Sequence, residues 1–498
     1  MPSINRRQFL CKLARGVAGL IAAGYSLSQA WARQDQPNII FILIDDLGYK
    51  DLSCYGSTFY ETPNIDRLAR NGMLFTDGYA ACPVCSPTRA SILTGKYPAR
   101  LNQTDWIPGR GNLRDQKLLQ VEDLNHLPRE ELTIAEVLQK AGYANGHIGK
   151  WHLGGEGYLP QDQGFDVNIA GNRRGSPPSY FYPYKRGEDW QLAGLAETGE
   201  EGEYLTDRLG REAAQFIHEH KATPFFLYFA NYAVHIPLQS KWELTEKYRT
   251  KAASLSDKDS WIFGAEGLHP VRQVQNHPIY AGMVESMDDS VGAILDAVEQ
   301  EGLKNDTVIF FFSDNGGLST SEGWPTSNLP LRGGKGWLYE GGIREPMIVT
   351  WPGVIEPDSR CTAPVSSVDF FPTIMDITGA EVPSGQTIDG VSLLPLLQQT
   401  GDLDRKAIYW HYPHYSKQGG GQGGAIRLGD YKLIRYYEDD RIELYNLRTD
   451  VGEQHNLASI RPEKAALLAE KLNQWLSSVD ARMPEPNPDY IPPEGYRN

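Results

Sequence analysis

Several short apolar runs cross this chain, and each stops at polar residues. Ile39 to Ile44 has no polar position and ends at Asp45 and Asp46. Pro224 to Ala230 runs into Asn231, and the apolar part of Asp306 to Phe312 ends at Ser313-Asp314-Asn315-Gly316. Runs of this length without alternation are the pattern of strands buried on both faces. Pro346 to Thr350 predicts a fourth strand. Apolar residues recur at helical spacing over Thr133 to Ala141, Glu203 to His218, Tyr280 to Glu301 and Ser367 to Thr378. Strands alternating with helices predict an α/β sandwich: a large, mostly parallel sheet flanked by helices. From Lys406 the pattern changes to short strand signals (Ala407 to Tyr412, Gly424 to Leu428, Tyr431 to Tyr436, Glu443 to Asn446). A helical segment, Pro462 to Leu476, follows. These predict a small C-terminal antiparallel sheet with one helix.

The pattern divides the chain into a large domain over residues 33–385, a transition segment at 386–405, a small subdomain at 406–480 and a proline-rich tail at 481–498. Gln418 to Gly424 is mostly glycine and reads as a flexible loop. Residues 1–32 read as an export signal, outside the fold. Arg6-Arg7-Gln8-Phe9-Leu10 precedes an apolar, glycine-containing stretch, and Ala30-Trp31-Ala32 supplies small residues for cleavage. The paired arginines are of twin-arginine type; an ordinary Sec signal is the other reading. Either one hands the chain to export machinery and places it in the periplasm or outside a bacterial cell.

Acidic residues outnumber basic ones by 63 to 48, for a net charge of −15. With no basic tract, nucleic acid is excluded as a partner. No segment after the signal is long and apolar enough to span a bilayer, so no stable membrane insertion is expected. Cys54, Cys82, Cys85 and Cys361 are too few for a disulfide scaffold. The Cys82-x-x-Cys85 spacing alone is open to a redox pair or half a metal site.

Ligand groups in parallel sheets gather where strands end. Asp45, Asp46, Asp314, Asn315 and His235 all follow strand-like runs. Three carboxylates and one amide, with no soft ligand among them, suit one hard divalent cation, calcium above all, and disfavour zinc.

Cys85-Ser86-Pro87-Thr88-Arg89, continued through Ala90 to Gly95, resembles the Cys-x-Pro-x-Arg signature of type I sulfatases. The resemblance implies an alkaline-phosphatase-like sandwich. It also implies that Cys85 is oxidised to Cα-formylglycine by a formylglycine-generating or sulfatase-maturing enzyme. One hydroxyl of the hydrated aldehyde then attacks sulfur, leaving a covalent sulfate ester on residue 85, and the other expels sulfate. Asp45 to Gly48 with Ser313 to Gly317 resembles the family's calcium site, so Asp45, Asp46, Asp314 and Asn315 are the implied ligands. Arg89 is implied to neutralise the nucleophile and nearby carboxylates.

Gly149 to Gly154 is similar to the family's Lys-x-His segment. It implies that Lys150 contacts the hydrate and sulfate, and that His152 is the base for elimination. Asn231 to Pro237 resembles the His-x-Pro segment, with His235 on sulfate and the leaving alcohol. Leu331 to Gly342 resembles the later lysine segment, with Lys335 between a sulfate oxygen and the ester oxygen. Glu340 is expected to be structural, beside Arg344.

The implied substrate is a sulfated carbohydrate. Asn328 to Arg332 is loosely similar to enzymes releasing the 4-sulfate of N-acetylgalactosamine, which favours galactose or N-acetylgalactosamine 4-sulfate, with a 6-sulfate the nearest alternative. Asp105, Trp106, Arg110, His411 and His414 are candidate sugar contacts. Two other classes stay open: a phosphatase or phosphodiesterase of the related fold, and an inactive protein that binds sulfated glycans with residue 85 left as cysteine.

Overall fold

The computed structural model describes residues 36–187, 190–192, 194–255 and 261–492. The export signal read at 1–32 lies outside them. The chain builds β1 (Asn38–Ile44), β2 (Met73–Tyr79), α1 (Cys85–Thr94), α2 (Ile134–Lys140), β3 (Ala144–Gly149), β4 (Val167–Ile169), α3 (Leu205–His220) and β5 (Phe225–Ala230). It continues through α4 (Pro278–Gln300), β6 (Thr307–Ser313), β7 (Arg344–Thr350), β8 (Ser359–Cys361), β9 (Val365–Ser366) and α5 (Phe370–Thr378).

These strands form one nine-stranded sheet in the order β8-β2-β7-β6-β1-β5-β3-β4, with β9 also beside β2. β1 lies at its centre, parallel to β6 on one side and β5 on the other. Both faces of β1 are covered, which is why its sequence does not alternate. Ile40, Ile42 and Ile44 pack toward α3 and α4. Ile39, Phe41 and Leu43 pack toward α1, α2 and α5. Each fully buried side chain of this size contributes roughly 1.5–3 kcal/mol. The sheet is mixed rather than uniformly parallel: β7 runs antiparallel to both β6 and β2.

The second sheet is a consecutive antiparallel meander of β10 (Ala407–Tyr412), β11 (Gly423–Leu428), β12 (Tyr431–Tyr436) and β13 (Ile442–Asn446). Ile426, Leu433 and Leu444 pack on Leu468, Leu472 and Leu476 of α6 (Pro462–Ser478). Trp410, Ala425 and Ile434 on the opposite face pack against Tyr79, Leu338 and Tyr339. A buried ion network crosses the same seam. Glu340 takes Lys432 at 3.0 Å, Arg344 at 3.3 Å and the Tyr79 hydroxyl at 2.7 Å, which makes it a structural residue.

The glycine run is not a free loop. Gln418 is buried, its carbonyl accepts from the Trp337 indole at 2.9 Å, and a Cβ on Gly420 would lie 1.6 Å from the Gly336 carbonyl oxygen. It buttresses the segment that carries Lys335. The proline-rich tail runs along residues 114–119, where Leu119 donates to Glu485 O and Asn487 to Lys117 O, both at 2.8 Å. Among the described residues no helix is long and apolar enough to cross a membrane.

Candidate active site

The carboxyl ends of β1, β3, β5 and β6 deliver Asp45 and Asp46, Lys150 and His152, His235, and Asp314 and Asn315 to one place. Cys85 arrives on the first residue of α1. Every residue of that helix is buried, and Thr88 Oγ1 donates back to the Cys82 carbonyl at 3.0 Å, which fixes its start. Pro87 sits in the first turn, where its missing N–H costs no helical bond.

Cys85 Sγ lies 3.4 Å from His152 Nδ1. The other ring nitrogen, Nε2, is 2.6 Å from the Ile107 carbonyl oxygen. A carbonyl only accepts, so Nε2 carries the proton and Nδ1 faces residue 85 as a bare base. Burial, reinforced by Lys150, holds the imidazole well below its usual pKa and therefore neutral. Two glycines make the placement possible. Gly149, at φ +109, brings the chain so near β5 that a Cβ would lie 2.0 Å from Ala230 O. Gly175 packs on the ring itself, with 2.3 Å between a hypothetical Cβ and His152 Cε1. The Cys85 thiol is pushed up by burial against the pull of Lys150 and Lys335, so the unmodified side chain is a protonated, poor nucleophile.

Three cations face three carboxylates beneath it. Lys150 Nζ binds Asp45 at 2.7 Å, Lys335 Nζ binds Asp46 at 2.6 Å, and Arg89 binds Asp314 at 2.7 Å. Arg89 also donates to the Lys150 carbonyl at 2.8 Å, locking that segment to α1. Among the described residues Asp45, Asp46 and His235 have ligating atoms within 4.8 Å of one another. Asp45 Oδ1, Asp46 Oδ2 and Asn315 Oδ1 are buried without any hydrogen-bond partner. Buried oxygens normally find a donor, so three orphans together mark a place built for a cation. Asp314 is already engaged: Oδ1 accepts from Asp46 N at 3.2 Å and Oδ2 from Arg89. His235 enters the cluster, with Nε2 3.6 Å from Asp46 Oδ2, where the family resemblance implied a place on the sulfate.

The site opens into a cleft of about 680 Å³ whose walls include Cys85, His152, His235, Lys335, Trp106 and Glu322. Lys150 and Arg89 are buried and do not line it. Of the five expected sugar contacts only Trp106 lines the cleft, with Lys417 5.2 Å above its ring. Asp105 is a correction: it is buried and accepts from Trp106 N at 2.9 Å and Tyr412 OH at 3.3 Å. His411 and His414 are also turned inward. His411 is held by Tyr437 OH and the Arg482 carbonyl, and His414 by Thr104 Oγ1 at 2.8 Å. Arg110 stays near Asp105 without reaching the cleft. Residues not anticipated take their place: Arg173, Arg174, Trp190, Glu322, Lys417 and Gln418. The only signal for any of them was the arginine pair inside Gly171-Asn172-Arg173-Arg174-Gly175. Cys54, Cys82, Cys85 and Cys361 are all unpaired, so Cys85 is not consumed by a disulfide.

Comparison with known proteins agrees with this geometry. The sulfatase family model matches residues 37–380, and the model of the N-sulphoglucosamine sulphohydrolase C-terminal region matches residues 334–482. A sulfatase of Formosa agariphila is 32% identical, over 93% of this chain and 92% of the relative. The N-acetylgalactosamine-6-sulfatase of Sus scrofa is 36% identical, over 83% and 74%. The crystal structure of Ps i-CgsB in complex with k-i-k-neocarrahexaose superposes with a TM-score of 0.71 at 29% identity, covering 89% of this chain and 93% of that one. The chain therefore belongs to the sulfatase family, as a type I sulfatase of the formylglycine-dependent class and a sulfuric-ester hydrolase.

Proposed function

We propose that this protein hydrolyses the sulfate monoester of a carbohydrate, releasing sulfate and a sugar alcohol, with residue 85 as nucleophile. The observation that carries the reading is the approach of His152 Nδ1 to Cys85 Sγ at 3.4 Å, with its other nitrogen tied to a carbonyl and Lys335 and His235 on the same cleft. The thiol stands in for the formylglycine side chain. Once formed, formylglycine supplies a hydrated aldehyde, with one hydroxyl to attack sulfur and another through which the product leaves. The maturing enzyme must act before folding is complete, because the signature helix is wholly buried.

The donor set fits Ca²⁺: Asp45, Asp46 and Asn315 have free oxygens to hold it, and Asp314 would complete the set with a lone pair left beside its bonds to Asp46 N and Arg89. Bound there, it adds positive charge to a site whose own charges balance, and so favours the sulfate anion. The remaining steps belong to the chain. Lys335, on the cleft wall, offers an N–H donor to a sulfate oxygen while pinned on Asp46, and Lys150, buried on Asp45 without lining the cleft, adds its positive charge to the site. Lys335 and His235, both on the cleft wall, are placed to give a proton to the departing alcohol oxygen. Burial lowers the His235 pKa to about 4 despite nearby Asp46, so Lys335 is the group that carries a proton at neutral pH before substrate binds. His152, neutral with Nδ1 bare, takes the proton from the hydroxyl that releases the product. Arg89, buried and not lining the cleft, positions Asp314 and the Lys150 backbone.

The segment that favours position 4 by resemblance is Asn328 to Arg332. Its two polar ends are structural here: Asn328 donates to Gly317 O and Gly333 O, and Arg332 pairs with Glu266. Relatives described as N-acetylgalactosamine-6-sulfatase favour position 6 of a galactose-type sugar instead. With its export signal, the enzyme would meet such sugars in the periplasm or outside the cell.

The experiment is sulfate release from galactose and N-acetylgalactosamine monosulfates that differ only in sulfate position, using protein co-produced with a formylglycine-generating enzyme. Release from the 6-sulfate is expected. Release from the 4-sulfate alone keeps the chemistry and reverses the regiochemistry. Sulfate release from none of these sugars contradicts the reading.

A further inference from the structure

Glu322 is a carboxylate on the wall of a cleft built for an anion. Sulfate oxygens and carboxylate oxygens only accept hydrogen bonds, and both are negative, so the two repel unless donors stand between them. The catalytic roles above leave Glu322 without a task.

Its placement is specific. Glu322 holds a left-handed backbone at φ 54, a region that residues with a side chain seldom occupy. Its side chain is only 14% exposed. Lys417 Nζ lies 2.5 Å from Oε1, and Gln418 Nε2 donates to Oε2 at 3.1 Å. The loop around it is tied down, since Ser319 Oγ donates to Gly333 O and Thr320 Oγ1 to Gln418 O. Burial raises the carboxyl pKa, but Lys335, His235 and Lys417 outweigh it and hold the group ionised. A role as counter-ion alone explains this poorly: Lys335 already has Asp46 at 2.6 Å, and Lys417 is 42% exposed. A carboxylate offers about four acceptor directions, and two are taken.

We infer that Glu322 accepts a hydrogen bond from a free hydroxyl of the sugar that carries the scissile sulfate, and so selects sugars unsulfated at that hydroxyl. The inference rests on the sulfatase reading above and adds which part of the substrate the cleft recognises. Lys417 and Gln418 fix the carboxylate's direction, and the substrate hydroxyl supplies the missing donor. A second sulfate at that position would bring like charge against Glu322 and leave its remaining acceptor directions unfilled.

The test compares kcat/KM on 4-nitrophenyl sulfate, which has no hydroxyl, with kcat/KM on the galactose-type monosulfates, for wild type, Glu322→Gln and Glu322→Ala. The ratio of sugar to aryl turnover is expected to fall by about 10- to 100-fold in Glu322→Ala, the range for losing a hydrogen bond to a charged group. It should fall less in Glu322→Gln, whose amide oxygen still accepts. The aryl reaction of each variant also reports that the site is folded. An unchanged ratio overturns the inference, as does wild-type turnover of the aryl ester with no sugar sulfate accepted. Failure of the wild type on the aryl ester and the sugars alike would instead remove the sulfatase reading, and the inference with it.

Discussion

Replacing Cys85 with alanine should lower sulfate release by more than about four orders of magnitude, because removing the group that forms the covalent bond costs on that scale in other hydrolases. Melting temperature should move little. The side chain is small, alanine suits the first position of α1, and a thiol is only a weak hydrogen-bond partner for His152 Nδ1. Lys150, Arg89 and the carboxylates keep their partners, since none of those bonds uses the sulfur. Thermal melting beside the sulfate assay separates lost chemistry from lost fold. Residual activity within a factor of ten of wild type would mean that another group attacks sulfur.

Chelation should have the second largest effect. Exhaustive treatment with a calcium chelator should reduce sulfate release by about 10³-fold or more, and added Ca²⁺ should restore it. The magnitude follows from removing preorganised positive charge from a water-poor site. Melting temperature should fall with it, since a ligand present at about 100 times its Kd adds roughly 2.7 kcal/mol to the native state. The physical ground is the set of orphaned oxygens on Asp45, Asp46 and Asn315, which the cation would satisfy. In Asp45→Ala both responses to calcium should disappear, leaving a protein of low activity that chelator does not alter. Metal-free protein with full activity contradicts the assignment.

Much of this site could be read from the chain because its parts follow strands with an unmistakable signature. β1, β5 and β6 are buried on both faces, so their apolar runs suffice to locate Asp45, Asp46, His235, Asp314 and Asn315 at strand ends. β3 escaped because Ala144 to Gly149 is not apolar. Asn145 and His147 are buried in it, the former donating its Nδ2 to the Ala135 and Gly164 carbonyls, the latter packed among Trp151, Phe165 and Tyr228. Lys150 and His152 are therefore legible by motif rather than by the strand that carries them. The antiparallel course of β7 has no local signal either, since its residues are buried whichever way it runs.

Sugar contacts were the least legible part. Chain position after the nucleophile helix or at the start of the small subdomain does not say which way a side chain faces. Asp105, His411 and His414 face an interior that satisfies them, whereas Glu322 and Lys417 reach the cleft from loops whose direction is set by tertiary contacts. The glycines after Gln418 looked free for the same reason: their small size serves close packing against Gly336 and Trp337.

The most direct test of the central claim is mass spectrometry of the peptide containing residue 85, alongside sulfate release, across preparations made with and without a formylglycine-generating enzyme. The account predicts that specific activity rises in proportion to the fraction of residue 85 present as formylglycine and vanishes when that fraction is zero. Full activity from protein whose residue 85 is entirely cysteine would contradict it.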